Sequence, residues 1–86
     1  MSVVRMYVMG NDTKWVERVT ELPFFPFHGL DFQGIAADQP LRVNSVSYDI
    51  TDLENPFFKI RLSWLSQQPL TSKQLVELGV GWQIKE

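Results

Sequence analysis

Cysteine is missing from this 86-residue chain. A disulfide framework, a thiolate nucleophile and a cysteine-held metal are thereby excluded, and stability must come from packing or from assembly. Histidine is nearly absent as well. His28 is the only one, which is too few for an ordinary zinc site without at least two other good ligands. Long apolar runs are lacking, since no stretch approaches the ~20 residues that cross a bilayer. The opening Met-Ser-Val-Val-Arg-Met-Tyr-Val-Met-Gly has no basic start followed by an apolar segment of signal length. These absences predict a cytoplasmic protein with no membrane partner. An excess of positive charge is missing too. Eight Lys and Arg stand against ten Asp and Glu, a formal −2 with a pI near 5.3, which disfavours general attraction to phosphate backbones.

Aromatic carbon, by contrast, is plentiful. Six Phe, three Trp and two Tyr make up 13% of a chain that is 44% hydrophobic. A chain this short buries only about 60–65% of its unfolded surface, which predicts one domain over residues 1–86. Each ring it hides removes roughly 150–250 Å² from water. The ring load therefore exceeds what a lone domain of this length encloses, and the surplus is expected in a subunit contact or a ligand groove.

The clearest local pattern is Phe-Phe-Lys-Ile-Arg-Leu-Ser-Trp-Leu over 57–65. Period-2 alternation puts Phe58, Ile60, Leu62 and Trp64 on one face of a strand and Lys59, Arg61 and Ser63 on the other. Residues 41–50 alternate through Val46, Tyr48 and Ile50. Joined to 57–65 by the polar stretch Thr51-Asp52-Leu53-Glu54-Asn55-Pro56, they predict an antiparallel hairpin. Residues 3–9 read as a buried first strand stopped at Gly10-Asn11-Asp12, and its edge offers backbone groups for pairing across a two-fold axis. Residues 14–22 fit either an amphipathic helix capped by Asp12 or Thr13, or a strand. The short turn before them and the χ1-stiff Val16, Val19 and Thr20 favour the strand.

Pro23-Phe24-Phe25-Pro26-Phe27-His28-Gly29 cannot form regular helix, because its prolines remove donors and push the preceding residues toward extended backbone. Leu30-Asp31-Phe32-Gln33, between Gly29 and Gly34, suggests a short strand. Near the end, Thr71 and Gln74 have capping-box spacing, Leu70 and Leu75 make a hydrophobic staple, and Gly79 supplies a left-handed stop. A two-turn helix survives only when docked, so Leu75 and Leu78 are expected on the sheet. Val80, Trp82 and Ile84 alternate as a last strand. The fold class is mainly β with one short C-terminal helix, a β-rich α+β arrangement built as a small antiparallel sheet or open barrel. The Pro-containing connector, glycine, short strand and long hairpin over residues 22–65 distantly resemble Src-homology-three-type barrels. The resemblance is compositional, and no functional residue follows from it.

No catalytic, cofactor or metal motif is present, so the chain is read as a non-enzyme. Asp49, Asp52 and Glu54 crowd hard oxygen donors into one loop, but the EF-hand glycine and closing glutamate are absent, which leaves a solvated hairpin tip. Asn11 and Asp12 read as turn residues bonding their own backbone. Phe24, Phe25 and Phe27, with His28, form the candidate interface: rings stiffened by prolines suit protein contacts, and the alternative is a plug over one end of the sheet. Arg42, Lys59 and Arg61 form a candidate polar face. The leading expectation is a binding or assembly module that pairs with a second copy or another protein. A small-molecule site beside His28, with Asp31 or Tyr48 supplying polarity and Asp31 or Asp38 as the nearest carboxylates to orient the ring, belongs to a different class. Single-stranded nucleic acid held by Lys59, Arg61 and nearby rings is a third reading, opposed by the acidic total charge.

Overall fold

The computed structural model describes residues 2–85. Two hairpins set the frame. In the first, β1 (Ser2–Met9) turns at Gly10 into β2 (Trp15–Leu22), with Val4 opposite Thr20 and Val8 opposite Val16. In the second, β4 (Leu41–Asp49) turns through 50–56 into β5 (Phe57–Trp64), with a register shift between Val43 and Ser45. The strand reading of residues 14–22 thus agrees with the fold. Arg18 spoils the alternation of β2 because its Nε donates to the Val80 carbonyl at 2.7 Å, so a charged side chain has a partner on the core side.

The hairpins meet through β1 and β5, which run parallel with Val4 beside Phe58, Met6 beside Ile60 and Val8 beside Leu62. Two short pieces complete a curled six-stranded sheet, β3 (Asp31–Phe32) on β4 and β6 (Gln83–Ile84) on β2, in the order β3-β4-β5-β1-β2-β6. The sheet is therefore mixed, which corrects the antiparallel expectation. It also makes β1 a central strand, so the edge pairing expected of residues 3–9 is unavailable: both of its sides are taken.

One face of the sheet carries the core. Val4, Met6, Val8, Val16, Leu41, Val43, Ile60 and Leu62 are buried there with Ala36, Leu75 and Trp82. The cover comes from α1 (Ser72–Glu77), the loop around Ala36 and the segment ending at Trp82, whose indole donates to the Ile35 carbonyl at 2.6 Å. Trp82 thus ties the C-terminal end to the connector between β3 and β4. The expected last strand shrinks to Gln83–Ile84, because Trp82 turns inward before pairing begins and Ile84 is exposed.

The helix begins as its spacing predicts, with the Thr71 hydroxyl accepting from the Gln74 N–H and the Gln74 side chain accepting from the Thr71 N–H. Leu75 is fully buried, worth about 1.5–3 kcal/mol of transfer free energy. Leu78 is not: it ends the last turn in solvent, since a six-residue helix presents only one narrow apolar stripe. The turn after β1 is fastened to this helix. The Asn11 N–H donates to the Leu70 carbonyl at 2.8 Å, and Asp12 accepts from both the backbone N–H (3.1 Å) and the hydroxyl of Ser72. Gly10 is required by this closeness, because a Cβ there would lie 2.6 Å from the Ser72 nitrogen.

The Ser72 hydrogen bonds hold the Asp12 carboxyl below its ordinary value. Its contribution to stability is therefore present above the unfolded carboxylate range near pH 4 and lost as pH falls through the lowered folded value. Asp12→Asn is expected to lower the thermal midpoint at neutral pH and flatten the acid limb of the stability profile, read by circular dichroism. Leu75→Ala, which leaves a cavity, is expected to cost about 2–5 kcal/mol in denaturant titration.

Candidate functional site

Beyond the core face, the described residues form two distinctive surfaces. The first lies where the start of β1, the end of β4 and the start of β5 come together. The connector 23–29, bent at 23–24 and turning at 28–29, passes beside it, with Pro26 buried and Phe24, Phe25 and Phe27 exposed. Phe25, 73% exposed, is the extreme case and rests on Phe58 with ring centroids 5.5 Å apart. Phe58 in turn meets Tyr48 at 4.6 Å. Tilted pairs of this kind contribute about 0.5–1.5 kcal/mol beyond area burial. Phe25, Tyr48 and Phe58, with Ser2, Val3 and Pro56, line a cleft of about 210 Å³, while Ile50 and Leu53 stand exposed on the neighbouring loop. Pro26 is thus buried while the three rings of the connector stay exposed, Phe25 against the sheet at Phe58.

His28 is exposed beside these rings. Asp31, the carboxylate expected to orient it, is occupied: both its oxygens accept from Arg42, at 2.8 and 3.1 Å. That pairing lowers Asp31 and raises Arg42 from their ordinary values. Tyr48 is engaged with Phe58. His28 lines neither the Phe25–Tyr48–Phe58 cleft nor the two that lie on the sheet face opposite the core and beside Arg5.

The acidic hairpin tip spends its oxygens on itself. Asp49 accepts from the Thr51 N–H at 2.9 Å, and Asp52 accepts from the Glu54 N–H and the Asn55 amide, each at 3.1 Å. Among the described residues no group of three His, Asp or Glu is placed to hold a metal ion, and no helix is long and apolar enough to cross a membrane.

The second surface is the sheet face opposite the core. Tyr7 stands at its centre, directly across from Glu17 on β2 and beside Arg61 on β5. Tyr7, Trp15, Lys59, Arg61 and Lys85 line an open cleft of about 310 Å³. The ammonium groups of Lys59 and Lys85 lie 5.4 and 5.2 Å from the Tyr7 ring centroid, and the Arg61 guanidinium 5.7 Å from that of Trp15. Such placements hold a cation over the electron-rich ring face. Further along, the Arg5 guanidinium covers Phe57 at 4.2 Å, its Nε buried without a partner, beside a third cleft of about 330 Å³ formed with Val3 and residues 54–57.

One carboxylate answers these cations at close range. Glu17 accepts from Lys85 at 3.2 Å, which raises the Lys85 ammonium above its ordinary value. Burial opposes ionisation of Glu17, yet the neighbouring Tyr7 hydroxyl, Lys85 and Arg5 hold it below its usual range. Tyr7 is pushed up, first by burial and then by its hydrogen bond to Glu17 and the Glu17 charge. Arg42 shares this face through its register with Ser63 but is committed to Asp31. The three cations of the expected polar face are thus split: Lys59 and Arg61 meet, and Arg42 stays apart. Tyr7, Trp15, Glu17 and Lys85 are not among the candidate residues that the sequence alone offers. Lys85 reaches the cleft only because β6 pairs with β2, although period-2 spacing does put Trp15, Glu17 and Val19 on one face of β2.

Comparison with known protein families, characterised proteins and solved structures found no match to the chain. The likeness to Src-homology-three-type barrels accordingly has no neighbour behind it.

Glu17→Gln removes the anion that raises Tyr7. The tyrosinate absorbance titration is expected to shift toward lower pH in the part that belongs to Tyr7. An unaltered curve would contradict the cleft geometry.

Proposed function

We propose that the chain is a non-catalytic assembly module that pairs with a second copy of itself through its aromatic end. The observation that carries this reading is a coincidence of two features on β4. β3 covers only Leu41 and Arg42, and the backbone of Gly29 and Leu30 covers Val43. Among the described residues, no strand lies beside the outer edge of β4 from Asn44 to Asp49. Tyr48, in that uncovered stretch, belongs to the Phe25–Phe58–Tyr48 ring cluster.

An open edge offers unpaired backbone donors and acceptors, and rings next to it supply the apolar area that backbone pairing alone lacks. Two copies related by a two-fold axis would align edge to edge antiparallel and lay the rings of each against the other. Phe24 and Phe27 would extend that contact, with His28 and the Arg42–Asp31 pair at the polar rim. A hydrophobic centre with a polar rim is the usual anatomy of a stable interface.

Sedimentation equilibrium across a dilution series tests the reading. A mass of twice the 10.0 kDa chain is expected at high concentration. Phe25→Ser with Tyr48→Ser should weaken association about tenfold or more, as loss of aromatic anchors does, while circular dichroism stays unchanged. A strict monomer throughout would dismiss self-association.

A further inference from the structure

We infer that the cleft of Tyr7, Trp15, Lys59, Arg61 and Lys85 is a binding site for single-stranded nucleic acid, with phosphates held by the three cations and a base stacked at Trp15. This site is on the sheet face opposite the core and is separate from the aromatic end proposed for assembly.

Charge segregation is the first argument. The chain as a whole is acidic, yet three cations converge on this one cleft and Arg5 lies beyond it. Among the described residues, few carboxylates come near these cations, and one of them, Glu54, lines the third cleft with Arg5. Glu17 bonds Lys85, and Asp49 acts on Lys59 and Arg5 from the far end of β4. Glu21 shares the face by strand alternation, opposite Val3 at the end of β1. Among the described residues Lys59 and Arg61 have no carboxylate within salt-bridge distance. Two ammonium groups drawn to a single tyrosine ring repel each other, and Glu17 answers only one of them. An arriving anion relieves that repulsion.

The second argument is the kind of anion. Cations alone suit any phosphate, but here they frame aromatic rings. Trp15 is 36% exposed on the rim, whereas Trp82 is enclosed and Trp64 is only partly exposed, with its indole donating to the Met9 carbonyl. A basic groove tracking a backbone beside rings that accept bases is the arrangement by which single strands are held. The cleft's volume of about 310 Å³ is at the lower limit of small-ligand sites, which run roughly 300–1,000 Å³. It is also open rather than enclosed, while Arg5 and Phe57 line a separate cleft. A strand passing across it sets phosphates against all three of its cations, whereas a free mononucleotide brings only one phosphate.

The test is fluorescence anisotropy with a labelled oligothymidylate of about 12 nucleotides, with thymidine monophosphate and a duplex of the same length as competitors. Binding at low salt is expected, and log K should fall with log salt at a slope of about −2, the value for three phosphates on a single strand. Arg61→Gln with Lys85→Gln should weaken binding at least tenfold and bring the slope to about −0.7. Trp15→Ala should weaken binding about tenfold, while Trp15→Phe retains most of it. Unchanged circular dichroism confirms that each variant is folded. Phe25→Ser with Tyr48→Ser, which disturbs the assembly surface alone, should leave oligonucleotide affinity within twofold, so failure of one reading does not carry the other. No binding at low salt, binding indifferent to the Arg61/Lys85 pair, or equal competition by the monophosphate or the duplex would overturn the assignment.

Discussion

The parallel contact between β1 and β5 is the constraint from which the remaining architecture follows. Each hairpin alone has only one strand pair, too little to bury an apolar face stably. Joined along Val4–Phe58, Met6–Ile60 and Val8–Leu62, they form one continuous core surface that α1, the Ala36 loop and Trp82 then cover. The same junction decides what happens on the reverse. Because side chains alternate, registering Tyr7 with Arg61 and Arg5 with Lys59 is the unavoidable complement of registering Met6 with Ile60. The cationic cleft is thus the back of the core.

Long-range fastenings keep this frame shut where the short helix alone would be marginal. Asp12 reaches across the chain to Ser72, Trp82 to Ile35 and Arg18 to Val80. All three tie the C-terminal quarter to earlier elements, and all three are satisfied polar contacts at the margin of the core. A cysteine-free domain of this size has no covalent staple, and these contacts stand where one would be found.

Much of the local architecture was legible in the residues. Phe58, Ile60, Leu62 and Trp64 marked the core side of β5, and Thr71 with Gln74 marked the helix start, because each signal is contained within one element. The mixed sheet was not legible. Nothing in residues 2–9 or 57–64 distinguishes a parallel neighbour from an antiparallel one, since both demand the same alternation. Asp12 looked like ordinary turn chemistry because its partner lies sixty residues away. The candidate surfaces divide the same way. Phe24, Phe25 and Phe27 stood out as a contiguous run, and they are exposed in the fold. The cleft is assembled from three strands and the residue after a fourth, and only Lys59 and Arg61, two apart on one strand, could be paired beforehand.

Amide hydrogen exchange followed residue by residue tests the central claim most directly. With β1 in the middle of the sheet, the amides of Val4, Met6 and Val8 should be among the slowest in the chain, matched by those of Ile60 and Leu62 and far slower than the amides in 45–49 that point away from β5. If β1 instead exchanges at the rate of an edge strand while β4 is protected in the monomer, the parallel junction is wrong and the core and cleft built on it fall together.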